Sequence, residues 1–221
     1  MHRQTTPDPQ TSEVQSHYSR VAPLYDILDW PFEWGRYRPL RRHLCRDVGP
    51  SVLEAGVGTG RNLAYYPAGT HVNGVDLSPA MLARAQRRVL PADVSAHLQT
   101  GDVTATGFAT GQFDTVVASF LLCVLPQGLR GAALAEMARV CRADGRIRLI
   151  EYQRSRRRGR RTIQALWAPY VRWAFGADFD LELDDLLNRA GVSVVSSQFL
   201  VGDVIRLVAL QPEPAEAAIQ K

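Results

Sequence analysis

The sequence is poor in the features that mark secreted, metal-binding and membrane-spanning proteins. It has three cysteines in 221 residues, Cys45, Cys123 and Cys141, and they lack the paired spacing of metal ligands. We therefore expect neither a disulfide framework nor a bound metal, and interpret each cysteine as a small buried hydrophobic residue. No apolar run approaches the roughly 18 residues of a spanning helix, and the N-terminus lacks the hydrophobic stretch of a signal peptide. These absences predict a cytoplasmic protein.

The composition and the coarse order of elements predict an α/β core. With 46% hydrophobic residues, a chain of this length can bury one substantial core with accessory segments. Strand-like runs alternate with helix-like runs through the first half, which is typical of a parallel sheet covered by helices on both faces. Near the C-terminus, residues 192–199 and 204–210 flank a turn at Gly202 and predict a hairpin. Residues from Pro212 onward have the composition of a disordered tail.

A turn with three glycines follows the first strand-like run. Gly56, Gly58 and Gly60 stand at alternate positions. A backbone that reverses sharply from a buried strand into a helix needs residues that tolerate positive φ, and a ligand pressed against it leaves no room for Cβ atoms. Asp76 comes 20 residues after Gly56, where a second parallel strand should end and present a carboxylate to the hydroxyls of a ribose. Together the turn and Asp76 predict a nucleoside site.

The glycine spacing and the acid ahead of it favour a cationic nucleoside over a dinucleotide. Dinucleotide enzymes favour Gly-x-Gly-x-x-Gly and hold a pyrophosphate on turn amides and a helix N-terminus. This chain has Gly-x-Gly-x-Gly, with Glu54 two residues ahead. A carboxylate there suits a ligand with a sulfonium and an ammonium group better than it suits a pyrophosphate. An NAD-dependent dehydrogenase is therefore disfavoured.

Further motifs follow in chain order. Ser78 can cap a helix that begins with Pro79, and Met81 completes an Asp-x-Ser-x-x-Met pattern. Asp102 lies in a Gly-Asp-Val segment, and a fourth predicted strand ends at Ser119. A helix, a glycine turn and a fifth strand come next. In this order and spacing, the motifs resemble those of the class I methyltransferases, which bind S-adenosylmethionine (SAM).

This resemblance covers roughly residues 50–152. It implies a Rossmann-like, seven-stranded and mostly parallel sheet with helices on both faces and a C-terminal antiparallel hairpin. It also implies SAM as the cofactor. The implied cofactor contacts in this part of the chain are Glu54, Gly56, Gly58, Gly60, Asn62, Asp76, Leu77, Met81, Asp102, Val103 and Ser119. For Met81, packing in the core is an equally open interpretation.

We divide the chain accordingly. Residues 1–47 are predicted to form a helical cap over the site, 48–152 the SAM-binding core, and 153–190 a basic and aromatic insertion with a helix on the substrate side. Residues 191–211 should complete the sheet as a hairpin, and 212–221 should form the tail.

The N-terminal segment contains a second resemblance. The sequence from Tyr18 to Asp26 is similar to the segment that closes over SAM in ubiquinone and menaquinone methyltransferases and in bacterial phosphatidylethanolamine N-methyltransferases. The resemblance implies that Tyr18 and Tyr25 contact the cofactor or the substrate. Aromatic packing of a cap helix is the other interpretation, since an aromatic stripe at helical spacing usually belongs to a core.

The region after the fifth strand is basic and then aromatic. Residues 154–161 contain six arginines, and residues 163–175 form an amphipathic stretch with Trp and Tyr. Such a segment can lie on an anionic membrane surface, which would place the protein at the inner face of the membrane. A solvated loop followed by an ordinary packing helix is an open alternative. RNA binding is disfavoured because no recognisable RNA-binding module accompanies the arginines. Further arginines, which predict a basic rim at the substrate entrance, are Arg36, Arg38, Arg41 and Arg42.

Methyl transfer from a sulfonium is an in-line displacement, so a general base is needed only if the acceptor must lose a proton. The catalytic residue stays open, with candidates named by chain position alone: His17, Tyr18, His43, Glu151 and Tyr152.

The acceptor is predicted from the exit of the fourth strand. That exit lacks the Asn-Pro-Pro-Tyr type of motif found in enzymes that methylate amide or adenine nitrogens, and its apolar residues indicate a lipophilic acceptor. We favour a phosphatidylethanolamine-type amine, with a quinone precursor or a small thiol as alternatives. A non-catalytic nucleotide-binding or RNA-binding module is the alternative of another class. The oligomeric state is not predicted.

Overall fold

The computed structural model describes residues 33–213 together with Ser16. Its central element is a seven-stranded sheet. The strands are β1 (Ser51–Ala55), β2 (His71–Asp76), β3 (Ser95–Thr100), β4 (Phe113–Ser119), β5 (Cys141–Tyr152), β6 (Val192–Val201) and β7 (Ile205–Pro212). A π-helical turn (Glu33–Tyr37) leads into α1 (Arg38–Cys45), and a 3-10 helix (Arg61–Tyr65) follows β1. The other helices are α2 (Pro79–Ala85), α3 (Gln127–Val140), α4 (Arg158–Phe175) and α5 (Leu183–Leu187).

The strand order is β3-β2-β1-β4-β5-β7-β6. Strands β1 to β5 are parallel, whereas β7 is antiparallel to both β5 and β6. The predicted Rossmann-like sheet with its C-terminal hairpin is thus confirmed. The hairpin runs slightly further than predicted, because β7 ends at Pro212 and the Glu213 amide donates to the Gly191 carbonyl. The rest of the predicted tail, 214–221, lies outside the described residues.

Successive residues of the central strands pack into two different hydrophobic clusters. Leu53 and Val116 pack in the cluster that contains Met137 of α3. Their neighbours Val52 and Val117 pack in the other cluster, which contains Leu44 of α1. Alternation along each strand places these clusters on opposite faces of the sheet. This explains why the central strands are almost continuously apolar, as parallel strands covered on both faces usually are.

A buried arginine fixes α1 against the sheet. Nε of Arg148 on β5 donates to the Leu44 carbonyl at 2.7 Å, and its NH2 donates to the His43 carbonyl at 2.7 Å. These carbonyls belong to the last turn of α1, where no intrahelical donor remains for them. Arg148 therefore holds α1 at a defined position against β5.

The described residues include all three cysteines but leave out most of the predicted N-terminal cap. All three cysteines are buried and free, as predicted for small hydrophobic residues. His17, Tyr18 and Tyr25, with most of the predicted cap, lie outside the described residues. Across residues 33–213, no helix combines the length and hydropathy that a bilayer-crossing helix needs.

Glycine substitutions test the packing of β5 against β4. A Cβ on Gly145 would lie 2.7 Å from the carbonyl oxygen of Asp114, whereas a Cβ on Gly131 in α3 would meet nothing within 4 Å. We expect Gly145→Ala to lower the free energy of unfolding by about 1–3 kcal/mol through overpacking. Gly131→Ala, the matched control, should raise it by about 0.5–1 kcal/mol because alanine has the higher helix propensity. Urea unfolding measures both, and equal effects at the two positions would contradict the close packing at Gly145.

Candidate functional site

The first cavity lies at the carboxyl ends of β1, β2 and β4, where ligands bind in open α/β sheets. Its volume is about 100 Å³. Most of the predicted contact residues line it: Gly56, Gly58, Asp76, Leu77, Met81, Asp102, Val103 and Ser119. Residues from the exit of β4 complete the wall, including Phe120 and Leu121.

The glycine turn leaves room for a ligand. Gly56 and Gly58 have φ values of +69° and +55°, in the left-handed region that favours glycine. A Cβ on Gly56 would lie 2.7 Å from a methyl group of Leu121, but a Cβ on Gly58 would meet no atom within 4 Å. Gly58 lines the cavity, so a side chain there would fill space that the backbone leaves open. The turn therefore fits a nucleoside pressed against its backbone.

Asp76, the last residue of β2, is fixed by backbone amides. Its Oδ2 accepts from Gly58 N at 2.8 Å and its Oδ1 accepts from Ser78 N at 2.9 Å. Burial raises the pKa of this carboxyl, and the amide hydrogen bonds act against that rise. A carboxylate held in this way has lone pairs left to accept hydrogen bonds from a diol. The predicted ribose contact thus has suitable geometry and remains a prediction.

The position of Met81 is compatible with both interpretations left open for it, and its contact with the cofactor stays a prediction. The helix α2 begins as predicted, with Pro79 in its first turn and Ser78 Oγ accepting from Met81 N at 3.4 Å. The Met81 side chain is 2% exposed, so it belongs to the interior, and it also lines the first cavity. A flexible thioether suits such a position between core and ligand.

The resemblance implies that Glu54 and Asn62 contact the cofactor directly, but neither residue lines the first cavity and both lie behind its wall. Glu54 is 1% exposed; its Oε2 accepts from the Tyr66 hydroxyl at 2.9 Å and its Oε1 accepts from Asn62 Nδ2 at 2.8 Å. Asn62 also donates to Ser119 Oγ at 2.9 Å, which connects both residues to the cavity. Burial raises the pKa of Glu54 to about 7, although the Tyr66 and Asn62 donors act against this. Gly60 does not line the cavity either and packs on α2.

A second, larger cavity adjoins the first. Its volume is about 540 Å³, and Phe120 and Val124 line both cavities. One side is an aromatic wall of four rings in tilted and edge-to-face contact, Tyr37, Phe120, Tyr152 and Phe179, whose successive centroids are 5.2, 4.9 and 5.3 Å apart. The hydroxyl groups of Tyr37 and Tyr152 are hydrogen-bonded to each other. The wall thus contains one polar position in an otherwise apolar surface, and the two cavities meet at Phe120.

Phe120 has an unusual backbone that a buried acid stabilises. Its φ of +55° is rare for a residue with a Cβ and often marks a functional position. Phe120 N donates to the Ile150 carbonyl at 2.7 Å, and the Glu151 carboxylate accepts the amides of Leu121, Leu122 and Cys123 at 2.9, 2.7 and 3.2 Å. Glu151 therefore holds the loop that carries Phe120.

Three of the catalytic candidates lie in the described part of the chain, and their surroundings differ. Glu151 is 0% exposed and its carboxylate accepts hydrogen bonds from backbone amides, which disfavours it as a base. Burial raises its pKa to about 7, against the effect of those amides. The next residue along β5, Tyr152, lines the second cavity, as alternation along a strand allows. His43 is exposed on α1 and lines neither cavity.

The helix α4 forms another side of the second cavity, which it lines with Ile163, Trp167 and Val171 among others. The arginine run, which extends into the first turn of α4, is anchored rather than loose. The carboxylate of Asp203, in the turn between β6 and β7, accepts from Ser155 Oγ at 2.7 Å, Arg156 N at 3.0 Å and Arg160 NH1 at 2.7 Å. These donors hold the pKa of Asp203 well below its usual range. The predicted basic rim is present in part, since Arg36, Arg41 and Arg160 line the cavity.

The outer surface of α4 is apolar and basic. Leu166, Trp167 and Trp173 are 75%, 53% and 66% exposed, which is high for large apolar side chains. Within residues 33–213, ion pairs involve Arg156 and Arg160 of the run. Four of its arginines have no such partner there: Arg154, Arg157, Arg158 and Arg161. This surface is compatible with the predicted membrane contact, which stays a prediction.

Comparisons with known proteins agree with this geometry. A family model described as a methyltransferase domain matches residues 52–145. Phosphatidylethanolamine N-methyltransferase of Cereibacter sphaeroides is 41% identical over 61% of this chain and 67% of that protein. Demethylmenaquinone methyltransferase of Renibacterium salmoninarum is 35% identical over 66% of this chain and 61% of its own length. With that second relative, the match spans slightly less than two thirds of the protein.

Solved structures support the fold. The [4+2]-cyclase SpnF has a TM-score of 0.72 at 16% identity, covering 94% of this chain and 98% of that one. The 1,6-didemethyltoxoflavin-N1-methyltransferase of Burkholderia thailandensis, with S-adenosylhomocysteine bound, has a TM-score of 0.66 at 21% identity, covering 96% and 94%. At these identities the likeness concerns the fold, which by itself fixes no activity.

The raised pKa of Glu54 predicts a pH dependence of SAM binding. Because this pKa is about 7, the carboxyl loses its proton as the pH rises through that value. A cationic ligand favours the ionised form, so SAM affinity should increase from about pH 6 to about pH 8, by no more than tenfold per unit for one proton. Calorimetric titration across this range measures the slope, and Glu54→Gln should reduce it. The amino group of SAM titrates identically with both proteins, so equal slopes would contradict the role of Glu54.

Proposed function

Because this chain belongs to the class I SAM-dependent methyltransferases, we propose that it transfers a methyl group to a lipophilic or lipid acceptor bound in the second cavity. One observation carries the proposal: a largely apolar space of about 540 Å³ meets the first cavity at Phe120. Such a space suits an apolar ligand whose reactive group is directed by a few polar side chains.

The first cavity fits SAM. The backbone at Gly56 and Gly58 would lie against the ligand, Asp76 would accept from the ribose hydroxyls, and Met81 and Asp102 would lie on the adenine side. When bound, SAM supplies a methyl group already activated by its sulfonium. The chain then has to hold the acceptor in line, exclude water and, for an acidic acceptor group, take up a proton.

The aromatic wall favours an amine of the phosphatidylethanolamine type. Aromatic faces stabilise a methylated ammonium group through cation–π attraction, at about 0.5–2 kcal/mol for each contact. The hydrogen-bonded Tyr37 and Tyr152 hydroxyls are the polar position on this wall and would accept a hydrogen bond from the amine, which orients it for transfer. Arg36, exposed at the cavity, has no ion-pair partner in the described part of the chain and suits the phosphate of a headgroup.

A quinone precursor remains the second candidate for two reasons. The same aromatic wall could stack on a quinone ring, and a demethylmenaquinone methyltransferase is among the relatives. A small thiol would leave most of the second cavity unfilled and is the weaker alternative. The non-catalytic module has no support among the relatives named above.

We further propose that α4 brings the protein to the inner face of an anionic membrane. The exposed Leu166, Trp167 and Trp173 would enter the headgroup region, and the unpaired arginines of the run would contact anionic lipids. Because α4 also lines the second cavity, a lipid acceptor would reach that cavity along the same helix.

Transfer of label from SAM identifies the acceptor. We expect phosphatidylethanolamine to be methylated in preference to quinone precursors and small thiols. Val171→Trp, which fills part of the second cavity, should raise the KM for the acceptor while the affinity for SAM stays unchanged, since Val171 does not line the first cavity. Labelling confined to quinone precursors would favour the second candidate, and labelling confined to thiols would refute the lipid proposal.

Co-sedimentation with vesicles tests the membrane contact. Each cation near an anionic surface contributes about 1 kcal/mol, so replacing Arg157, Arg158 and Arg161 with Ala should weaken binding to phosphatidylglycerol vesicles roughly 100-fold. Binding of the wild-type protein should also fall with added salt. As a charge-matched control, the exposed Arg46, Arg87 and Arg142 are replaced together. If both triple variants lose binding equally, general charge and not α4 is responsible.

A further inference from the structure

A chain of buried hydrogen bonds leads from α1 to the wall of the first cavity. Nε of Arg41 donates to both carboxylate oxygens of Glu33 at 3.1 and 3.0 Å, and its NH1 donates to Asn62 Oδ1 at 2.7 Å. Asn62 Nδ2 then donates to Glu54 Oε1 at 2.8 Å and to Ser119 Oγ at 2.9 Å. Glu33, Arg41, Glu54 and Asn62 are all at most 7% exposed, so water is poorly placed to replace any of these bonds.

The partners of Asn62 determine which way its amide faces. The oxygen and nitrogen of an amide can exchange places at almost no steric cost. A guanidinium can only donate, whereas an ionised carboxylate can only accept. With Arg41 on one side and Glu54 on the other, the amide oxygen must face Arg41 and the NH2 group must face Glu54 and Ser119.

This orientation has a consequence at the cavity. Ser119 Oγ accepts a hydrogen bond from Asn62, so the hydrogen of its own hydroxyl is available to a ligand in the first cavity, which Ser119 lines. If the amide were reversed, its oxygen would face Ser119 and compete for that hydrogen. The amide would also lose its bond to Glu54, leaving a buried acceptor with fewer donors, which is costly.

We propose that Arg41 is a positioning residue for SAM: it fixes the Asn62 amide and, through it, the hydrogen bonds of Ser119 and Glu54. The inference rests on the assignment of the first cavity to SAM. Arg41 lines the second cavity and not the first, so its effect on SAM passes through Asn62.

The electrostatic surroundings of Glu54 provide a second readout. The charged and titratable groups facing it are Arg41 and Cys45 on α1, Tyr66 after the 3-10 helix, and Asp76 on β2. Arg41 acts to lower the pKa of Glu54, against the larger effect of burial. Without Arg41 the pKa of Glu54 rises further, and the pH at which SAM affinity increases moves upward.

Calorimetric titration with SAM tests the proposal on four proteins: wild type, Arg41→Met, Asn62→Ala and the double variant. Each single change should weaken SAM binding about tenfold, and the double variant should lose little more, because both changes break the same chain of bonds. In Arg41→Met the pH dependence should also shift upward. The matched control is Arg42→Met, at the exposed neighbouring position on α1, which should bind SAM like the wild type.

Circular dichroism checks that each variant is folded. If Arg41→Met does not fold, Arg41→Lys replaces it; lysine keeps the charge near Glu33 but cannot reproduce the guanidinium fork, and should bind SAM less tightly than the wild type. Wild-type affinity in a folded Arg41 variant, or additive losses in the double variant, would overturn the positioning role and leave the SAM site intact. Failure of the wild-type protein to bind SAM would overturn both.

Discussion

The arrangement of both cavities depends on buried carboxylates at the carboxyl ends of parallel strands. Each must be supplied with hydrogen-bond donors, because an unpaired charge in the interior is strongly unfavourable. Glu54 on β1 takes its donors from Asn62 and Tyr66, and Asp76 on β2 takes them from the glycine turn and Ser78. Glu151 on β5 takes three amides from the loop after β4. The hydrogen bonds that these carboxylates accept therefore fix the conformation of the loops that line the two cavities.

The sheet and most of the cofactor site could be predicted from the sequence because they depend on local signals. The glycine turn requires residues that tolerate positive φ, and Asp76 stands at the end of a recognisable strand. The sequence predicts contact between Glu54 and the ligand because an acidic residue precedes the glycine turn. The spacing of residues does not identify Tyr66 as the hydrogen-bond partner of Glu54. Chain position alone makes Glu151 a candidate base. Only the fold shows that backbone amides from the loop after β4 occupy its carboxylate.

The acceptor side was less predictable because it is assembled from distant segments. The aromatic wall joins residues from the turn before α1, the exits of β4 and β5, and the stretch before α5. The arginine run is ordered by Asp203, which lies about 45 residues further along the chain in the hairpin turn. No periodicity within either segment encodes these contacts. That this region and not the glycine turn carries the information about the acceptor stays a prediction.

The central claim is that methyl donor and lipid acceptor occupy two cavities that meet at Phe120. A crystal structure of the protein with S-adenosylhomocysteine and a short-chain phosphatidylethanolamine tests it most directly. The account predicts the nucleoside against the glycine turn and Asp76, the amine against the aromatic wall between Phe120 and Tyr152, and the acyl chains along α4. A headgroup bound away from this wall, or acyl chains outside the second cavity, would contradict it.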